Sequence, residues 1–172
     1  MRVAHRAFGK VFDLDYGWPM AVNYQIADAT APEAEGSKII VHVCNDIGVW
    51  GKGFVLALSR RWPLAEQRYR AWHRGRENDL PFAFGQVQFV QVAPDTWVAN
   101  LLGQHDIRAR GGIPPIRHET LRKGLRRVAA EANRLAASVH MPRIGCGLAG
   151  GKWEEIGPIL EQELGGDARH RL

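Results

Sequence analysis

Gly145, Gly147 and Gly150 stand in the run Met141-Pro-Arg-Ile-Gly-Cys-Gly-Leu-Ala-Gly-Gly-Lys-Trp153, between an apolar strand (Val139 to Ile144) and a helix opening at Trp153-Glu154-Glu155. Glycine at such a hand-over lets backbone N–H groups turn inward with no Cβ in the way, and the helix adds the positive end of its dipole. That combination suits a phosphate or pyrophosphate. A second loop of the same kind lies earlier, Asn45-Asp-Ile-Gly-Val-Trp-Gly-Lys-Gly-Phe54, after the apolar run Lys38 to Cys44 and before a helical stretch from Phe54 to Trp62. Either loop alone is a common way to shorten a strand–helix connection. Together, with Asn45 and Asp46 at a strand end where open sheets bind ligands, they point to one diphosphate gripped from both sides, and so to a nucleotide-type ligand.

The elements that must position these loops are legible around them. Lys38-Ile-Ile-Val-His-Val-Cys44 is nearly all apolar and β-branched, as expected of a central strand buried on both faces. Val22 to Ala27 reads as a short strand, and Gln86 to Val92 with Thr96 to Leu102 reads as a hairpin around Pro94-Asp95. Helices are predicted over Phe54 to Arg61, Pro63 to Arg74, Ile116 to Ala136 and Trp153 to Leu164. In the third, Leu121, Leu125, Val128, Ala132 and Leu135 recur at three- and four-residue steps, with Arg and Lys opposite. The mixed order of strands and helices predicts one three-layer α/β domain with both sheet faces covered. Residues 1–20 read as an irregular lead-in, 21–166 as the domain and 167–172 as a frayed tail.

Composition agrees. The 172 residues, 45% hydrophobic, suffice for one domain with its own core. No run approaches the roughly 20 apolar residues that span a bilayer, and the first nine residues lack the apolar stretch of a secretion signal. A cytoplasmic protein away from membranes is expected. Cys44 and Cys146 fit no metal-ligand spacing and no disulfide framework, and read as small packed residues in a reducing compartment. Neither a metal nor a cofactor is expected. The net charge of +5 draws on Arg60, Arg61, Arg68, Arg70, Arg74 and Arg76, and on Arg117, Arg122, Lys123, Arg126 and Arg127. Such faces are usually just solvated, with a nucleic acid as the alternative partner.

With these pieces in order, the sequence resembles a macrodomain, the ADP-ribose-binding family, over about residues 22–164. Ala27-Asp28-Ala29-Thr30 resembles the family's early strand end, whose aspartate receives the adenine amino group. Asn45 to Phe54 resembles its first ligand loop, near the distal ribose and diphosphate, and Gly145 to Gly151 its phosphate-binding loop. Gly-Val-Trp-Gly-Lys-Gly and Pro-Arg-Ile-Gly-Cys-Gly-Leu look closest to one subgroup. It holds terminal ADP-ribose protein glycohydrolase, the DNA-ADP-ribose-removing antitoxins and the yeast-type ADP-ribose phosphate phosphatase. The resemblance implies a three-layer α/β/α fold with a mixed central sheet. It also implies a ligand site of Asp28, Ala29, Asn45, Gly51, Lys52, Gly53, Phe54, Gly145, Cys146, Gly147, Leu148, Ala149 and Gly150.

The chain departs from the subgroup where catalysis is expected. Ala149 stands where glycohydrolase-type members carry an aspartate, Gln104 where they carry a lysine nucleophile, and Val55 where another branch has a catalytic aspartate. Asn45, Asp46 and Gln104 are the catalytic candidates, and His105 and Asp106 join them because the alignment there can slip by a residue. One route is substrate-assisted: a phosphate oxygen orients the water, Asn45 fixes the ribose, and loop amides position the rest.

Each candidate has a structural reading beside it. Asp28 and Asp46 serve equally as turn or cap residues and Asn45 as an Asx turn. Lys52 and Lys152 read as solvated lysines, His105 as an exposed loop histidine and His42 as a satisfied core histidine. Trp50 and Phe54 are more often core than ligand contacts. Three functions compete: hydrolysis of ADP-ribose from acidic side chains, non-catalytic reading of ADP-ribose, and removal of ADP-ribose from DNA or RNA. Phosphatase action on ADP-ribose phosphate stands beside the last. Oligomeric state is open.

Overall fold

The computed structural model of the protein describes residues 9–13, 21–77 and 79–165. Six strands and four helices follow one another as β1 (Gly9–Asp13), β2 (Ala21–Gln25), β3 (Lys38–Asn45), α1 (Phe54–Arg61), α2 (Pro63–His73), β4 (Val87–Ala93), β5 (Thr96–Gln104), α3 (His118–Leu135), β6 (Ser138–Pro142) and α4 (Trp153–Leu164). The strands form one mixed sheet in the order β2-β1-β6-β3-β5-β4. β3 runs parallel to both β5 and β6, whereas β1 is antiparallel to β2 and β6, and β4 to β5. The carboxyl ends of β6, β3 and β5 therefore share one edge of the sheet, and both glycine loops and the segment carrying His105 and Asp106 leave from it.

Period-two alternation along the central strands divides the core in two. Ile39, Val41, Ala99 and Leu101 pack on α3 and α4 through Leu121, Leu125, Val128, Ile156 and Leu160. Ile40, Cys44, Val98 and Leu102 pack on α1 and α2 through Leu58, Ala65, Tyr69 and Trp72. Each fully buried large apolar side chain contributes roughly 1.5–3 kcal/mol, so these two clusters hold the sheet edge in place. Polar clamps add direction. The carboxylate of Glu163, 3% exposed, accepts from Arg126 Nε at 2.8 Å and Nη2 at 3.1 Å, and Lys38 Nζ meets Asp95 Oδ2 at 2.6 Å.

The three-layer α/β/α architecture with a mixed sheet is as the sequence predicts, and three boundaries differ for physical reasons. β1 lies inside the expected irregular lead-in. It sits between β2 and β6, so β2 is the edge on that side. α3 starts at His118 instead of Ile116, because Ile116 is spent elsewhere: its N–H donates to Ala149 O at 3.1 Å, and it bridges to Gln104. β6 stops at Pro142, whose ring nitrogen has no hydrogen to extend a ladder. The other lead-in residues, 1–8 and 14–20, and the tail 167–172 lie outside the described residues.

Candidate functional site

The first glycine loop is shaped by side chains. Asn45, 7% exposed, sits at the last position of β3 and turns its amide back on its own loop. Its Oδ1 accepts from Ile47 N at 3.2 Å and Val49 N at 3.0 Å, while Nδ2 donates to Val49 O at 2.6 Å. Tyr69 on α2 donates its hydroxyl to Asn45 O at 2.6 Å. Arg70, half-buried beside it, donates to Trp50 O at 3.2 Å and Gly48 O at 3.5 Å, and its Nε is held by Glu66 at 2.9 Å. The loop's carbonyls at Asn45, Gly48 and Trp50 are thus gripped from α2. Among the described residues, the N–H groups of Gly51, Lys52 and Gly53 meet no protein acceptor. Gly53, at φ 75°, turns the chain into α1 as its N-cap.

Asp46, next along, reaches across to β5. Its Oδ2 lies 2.6 Å from His105 Nδ1, and its Oδ1 accepts from Asp106 N at 2.7 Å. Its backbone N–H donates to Gln104 O at 3.0 Å. Burial pushes the Asp46 carboxyl up, but the Asp106 amide and His105 outweigh it and hold the group below the usual carboxylate range. Asp106 adopts φ 61°, with Oδ1 accepting from Ile107 N at 2.6 Å and Oδ2 from Arg110. The Ile107 amide first, and then Arg110, keep that carboxyl low as well. Gln104 donates Nε2 to Asp106 O at 2.8 Å.

The second loop is shaped by backbone and packing. Gly151 N donates to Gly145 O at 2.8 Å and Gly150 N to Gly147 O at 3.0 Å, closing two nested turns. Gly145, at φ 73°, sits where a Cβ would fall 2.8 Å from Ile156 Cδ1 and 3.2 Å from Ile116 Cδ1, so the loop rests directly on the core. Among the described residues, the successive N–H groups of Gly147, Leu148 and Ala149 meet no protein acceptor. Consecutive amides without a protein acceptor are available to an anion. The loops also meet each other, with Leu148 Cδ1 only 3.5 Å from where Gly53 would carry a Cβ.

The remaining candidates fall into place around this edge. Ala149 is buried, and its carbonyl is taken by Ile116. Asp28 is exposed, and its Oδ1 accepts from Thr30 N at 2.9 Å and Thr30 Oγ1 at 2.7 Å; Ala29 beside it is buried. Thr30 O is in turn fixed by Trp62 Nε1 at 2.9 Å. Lys52 is exposed, Lys152 is the N-cap of α4 and also exposed, and Cys146 is half-buried. Trp50 is a core residue, its Nε1 bonded to Ser59 Oγ at 2.6 Å, with Phe54 and Val55 packed against the same cluster. His42 is a core histidine with Nε2 2.6 Å from Asn100 Oδ1. Among the described residues, no group of three or more His, Cys, Asp or Glu side chains could hold a metal ion. None of their helices is long and apolar enough to cross a membrane.

Sequence reasoning missed Tyr69 and misread Arg70 as a solvated face, although both brace the first loop. The i,i+4 spacing of Glu66 and Arg70 was the available signal, since it fixes the guanidinium on one side of α2. Other arginines of the basic faces are engaged too, Arg68 with Glu77 and Arg122 with Glu163.

No family model matches the chain. Among solved structures, a macrodomain protein from Streptomyces coelicolor is 54% identical, with a TM-score of 0.69 over 80% of this chain and 86% of that one. The chain belongs to the macrodomain family. A protein of unknown function from Bacteroides thetaiotaomicron resembles this macrodomain at 53% identity and a TM-score of 0.75, covering 80% and 86% of the two chains. Thermosipho africanus DarTG in complex with ADP-ribose, 18% identical, shares the fold at a TM-score of 0.63 over 90% of this macrodomain and 40% of its own chain. The mouse chromodomain-helicase-DNA-binding protein 1-like is 32% identical over 84% of this macrodomain. The macrodomain spans only 16% of that protein and 14% of its Danio rerio counterpart. The ADP-ribose 1''-phosphate phosphatase of Lodderomyces elongisporus is 24% identical over 83% of the macrodomain and 92% of its own length.

Proposed function

We propose that this macrodomain binds ADP-ribose and hydrolyses ADP-ribosyl linkages, with ADP-ribose on acidic protein side chains as the substrate class. The observation that carries this reading is two runs of backbone N–H groups that meet no acceptor among the described residues, Gly51–Gly53 and Gly147–Ala149, on loops that leave one sheet edge and touch through Leu148 and Gly53. Two such rows, one at the N-terminus of α1, suit the negative charge of a diphosphate. The names of two relatives agree: a structure of this fold holds ADP-ribose, and a full-length relative is a phosphatase of ADP-ribose phosphate. In this reading Asn45 and Gln104 are positioning residues, because their amides are committed to Val49 and Asp106, and Asp46 is the carboxylate of the site. Asp28 would meet the adenine through its remaining oxygen.

A second reading, binding without turnover, draws on the absence of an acidic side chain at Ala149 and of a lysine at Gln104. The two separate in one assay. Pure protein is incubated with ADP-ribosylated protein, ADP-ribosylated DNA and ADP-ribose 1''-phosphate, and released ADP-ribose or phosphate is followed, with calorimetric binding of free ADP-ribose alongside. Release from the ester-linked protein is the expected result. Tight binding with no release from any substrate would leave a reader.

A further inference from the structure

One titratable pair at this edge is arranged as an acid–base device. Asp46 follows β3 and His105 follows β5, adjacent parallel strands whose register sets Asn45 against Gln104, so the two side chains meet at the mouth between the strands. Asp46 Oδ2 lies 2.6 Å from His105 Nδ1. The other carboxylate oxygen is occupied by the Asp106 amide at 2.7 Å, so the carboxylate cannot swing away from the ring. The backbone of His105 is pinned too, its N–H donating to Pro115 O at 2.9 Å, one residue from the Ile116 that holds the second glycine loop. The ring itself is 44% exposed, with one edge toward Phe84 at 6.3 Å, and among the described residues Nε2 has no partner.

A carboxylate on Nδ1 fixes the tautomer with the proton on that nitrogen and the lone pair on Nε2. Neither Asp46 nor His105 is needed to cover core. Asn45 and Gln104, by contrast, carry no titrating group, and each gives an amide hydrogen to its own loop. The charged groups facing the ring are Asp46 from the first loop and, on its own loop, Asp106, itself tied to Arg110. Phe84 and Pro115, the neighbours from other segments, carry no charge.

We propose that His105, oriented by Asp46, is the general base that activates water for release of ADP-ribose. This rests on the hydrolase reading above. The water's lone pair forms the new bond to the anomeric carbon while one of its protons passes to Nε2. The bond from that carbon to the carboxylate oxygen of the modified side chain breaks, and the electron pair leaves with the carboxylate. The imidazolium then returns its proton to solvent. His105 is the catalytic residue in this scheme and Asp46 a positioning residue.

The test compares wild type with H105Q and D46N, reading kcat on mono-ADP-ribosylated protein across pH and binding of free ADP-ribose by calorimetry. General-base catalysis is worth on the order of 100-fold or more, so H105Q should lose about that factor in kcat and the acid limb of the pH–rate curve, while binding ADP-ribose within about threefold of wild type. In D46N the amide donates to Nδ1 and reverses the tautomer, so kcat should fall with binding again retained. Turnover by H105Q within a few-fold of wild type, with the acid limb intact, would overturn the dyad and leave the hydrolase reading standing. Parallel loss of binding and turnover would reduce His105 to a structural role. Wild-type protein that binds ADP-ribose but releases none would overturn both.

Discussion

The two glycine loops do the same job by opposite means. The loop from Asn45 to Phe54 is held by polar side chains that reach it from its own strand and from α2: Asn45, Tyr69 and Arg70. The loop from Gly145 to Gly151 is held by backbone turns and by steric fit on Ile116 and Ile156. A polar brace can be loosened one bond at a time, and a steric one fails when volume is added. In the proposed site the titrating pair Asp46–His105 stands at the first loop and the loop after β5, and the second glycine loop offers its backbone to the anion.

What the two regions share is a buried neutral histidine beneath each, and acid should weaken both most of all. Burial, against its hydrogen bond to Asn100, lowers His42 in β3 to about 4. Burial, and then Lys38, lowers His140 in β6 to about 4, and His140 Nδ1 has no partner. The unfolded chain takes up these protons near 6.5 and the folded one does not, so their stability is complete above about pH 6.5 and drains away as pH falls toward 4. Each accounts for about 3 kcal/mol over that window. Urea midpoints measured from pH 7 to 4 check this; a flat profile would mean that neither histidine is excluded from water.

Gly145→Ala should come next, lowering the unfolding free energy by about 3 kcal/mol. The change combines a left-handed backbone with a Cβ 2.8 Å from Ile156 Cδ1. Gly147→Ala is its control. No atom lies within 4 Å of that Cβ, so stability should move by less than about 0.5 kcal/mol. Equal losses at the two glycines would break the steric account of the second loop.

Tyr69→Phe should cost about 1–2 kcal/mol, because the buried Asn45 carbonyl loses its donor. Asn45→Ala in ADP-ribose binding and release assays should lower affinity and turnover together, since its amide shapes the loop. A loss in turnover alone would restore Asn45 to direct contact with the substrate.

The sequence makes the sheet, its covering helices and both glycine loops legible because they rest on local signals: β-branched runs, helical spacing and glycine at strand ends. What it hides is everything decided by contacts across the fold. Ile116 looks like the first residue of a helix and is instead a strut for Ala149. Gly9–Asp13 carries too few apolar residues to read as a strand and gains its place by pairing with β6 and β2. Asn45 has the right chemistry for a ribose, and only the positions of Val49 and Tyr69 reveal that its amide is already bonded to its own loop and to α2. Asp46 and His105 lie 59 residues apart, and the parallel pairing of β3 and β5 is what makes them one unit.

The central claim is that the two amide rows together hold one diphosphate. Calorimetric titration of ADP-ribose into wild type and Gly147→Glu tests it most directly, with thermal melting as the check on folding. The account predicts one ADP-ribose per wild-type chain, and no measurable binding by a variant that melts like wild type, because the new carboxylate fills and charges the seat between Gly147 and Ala149. Undiminished affinity in Gly147→Glu would contradict it.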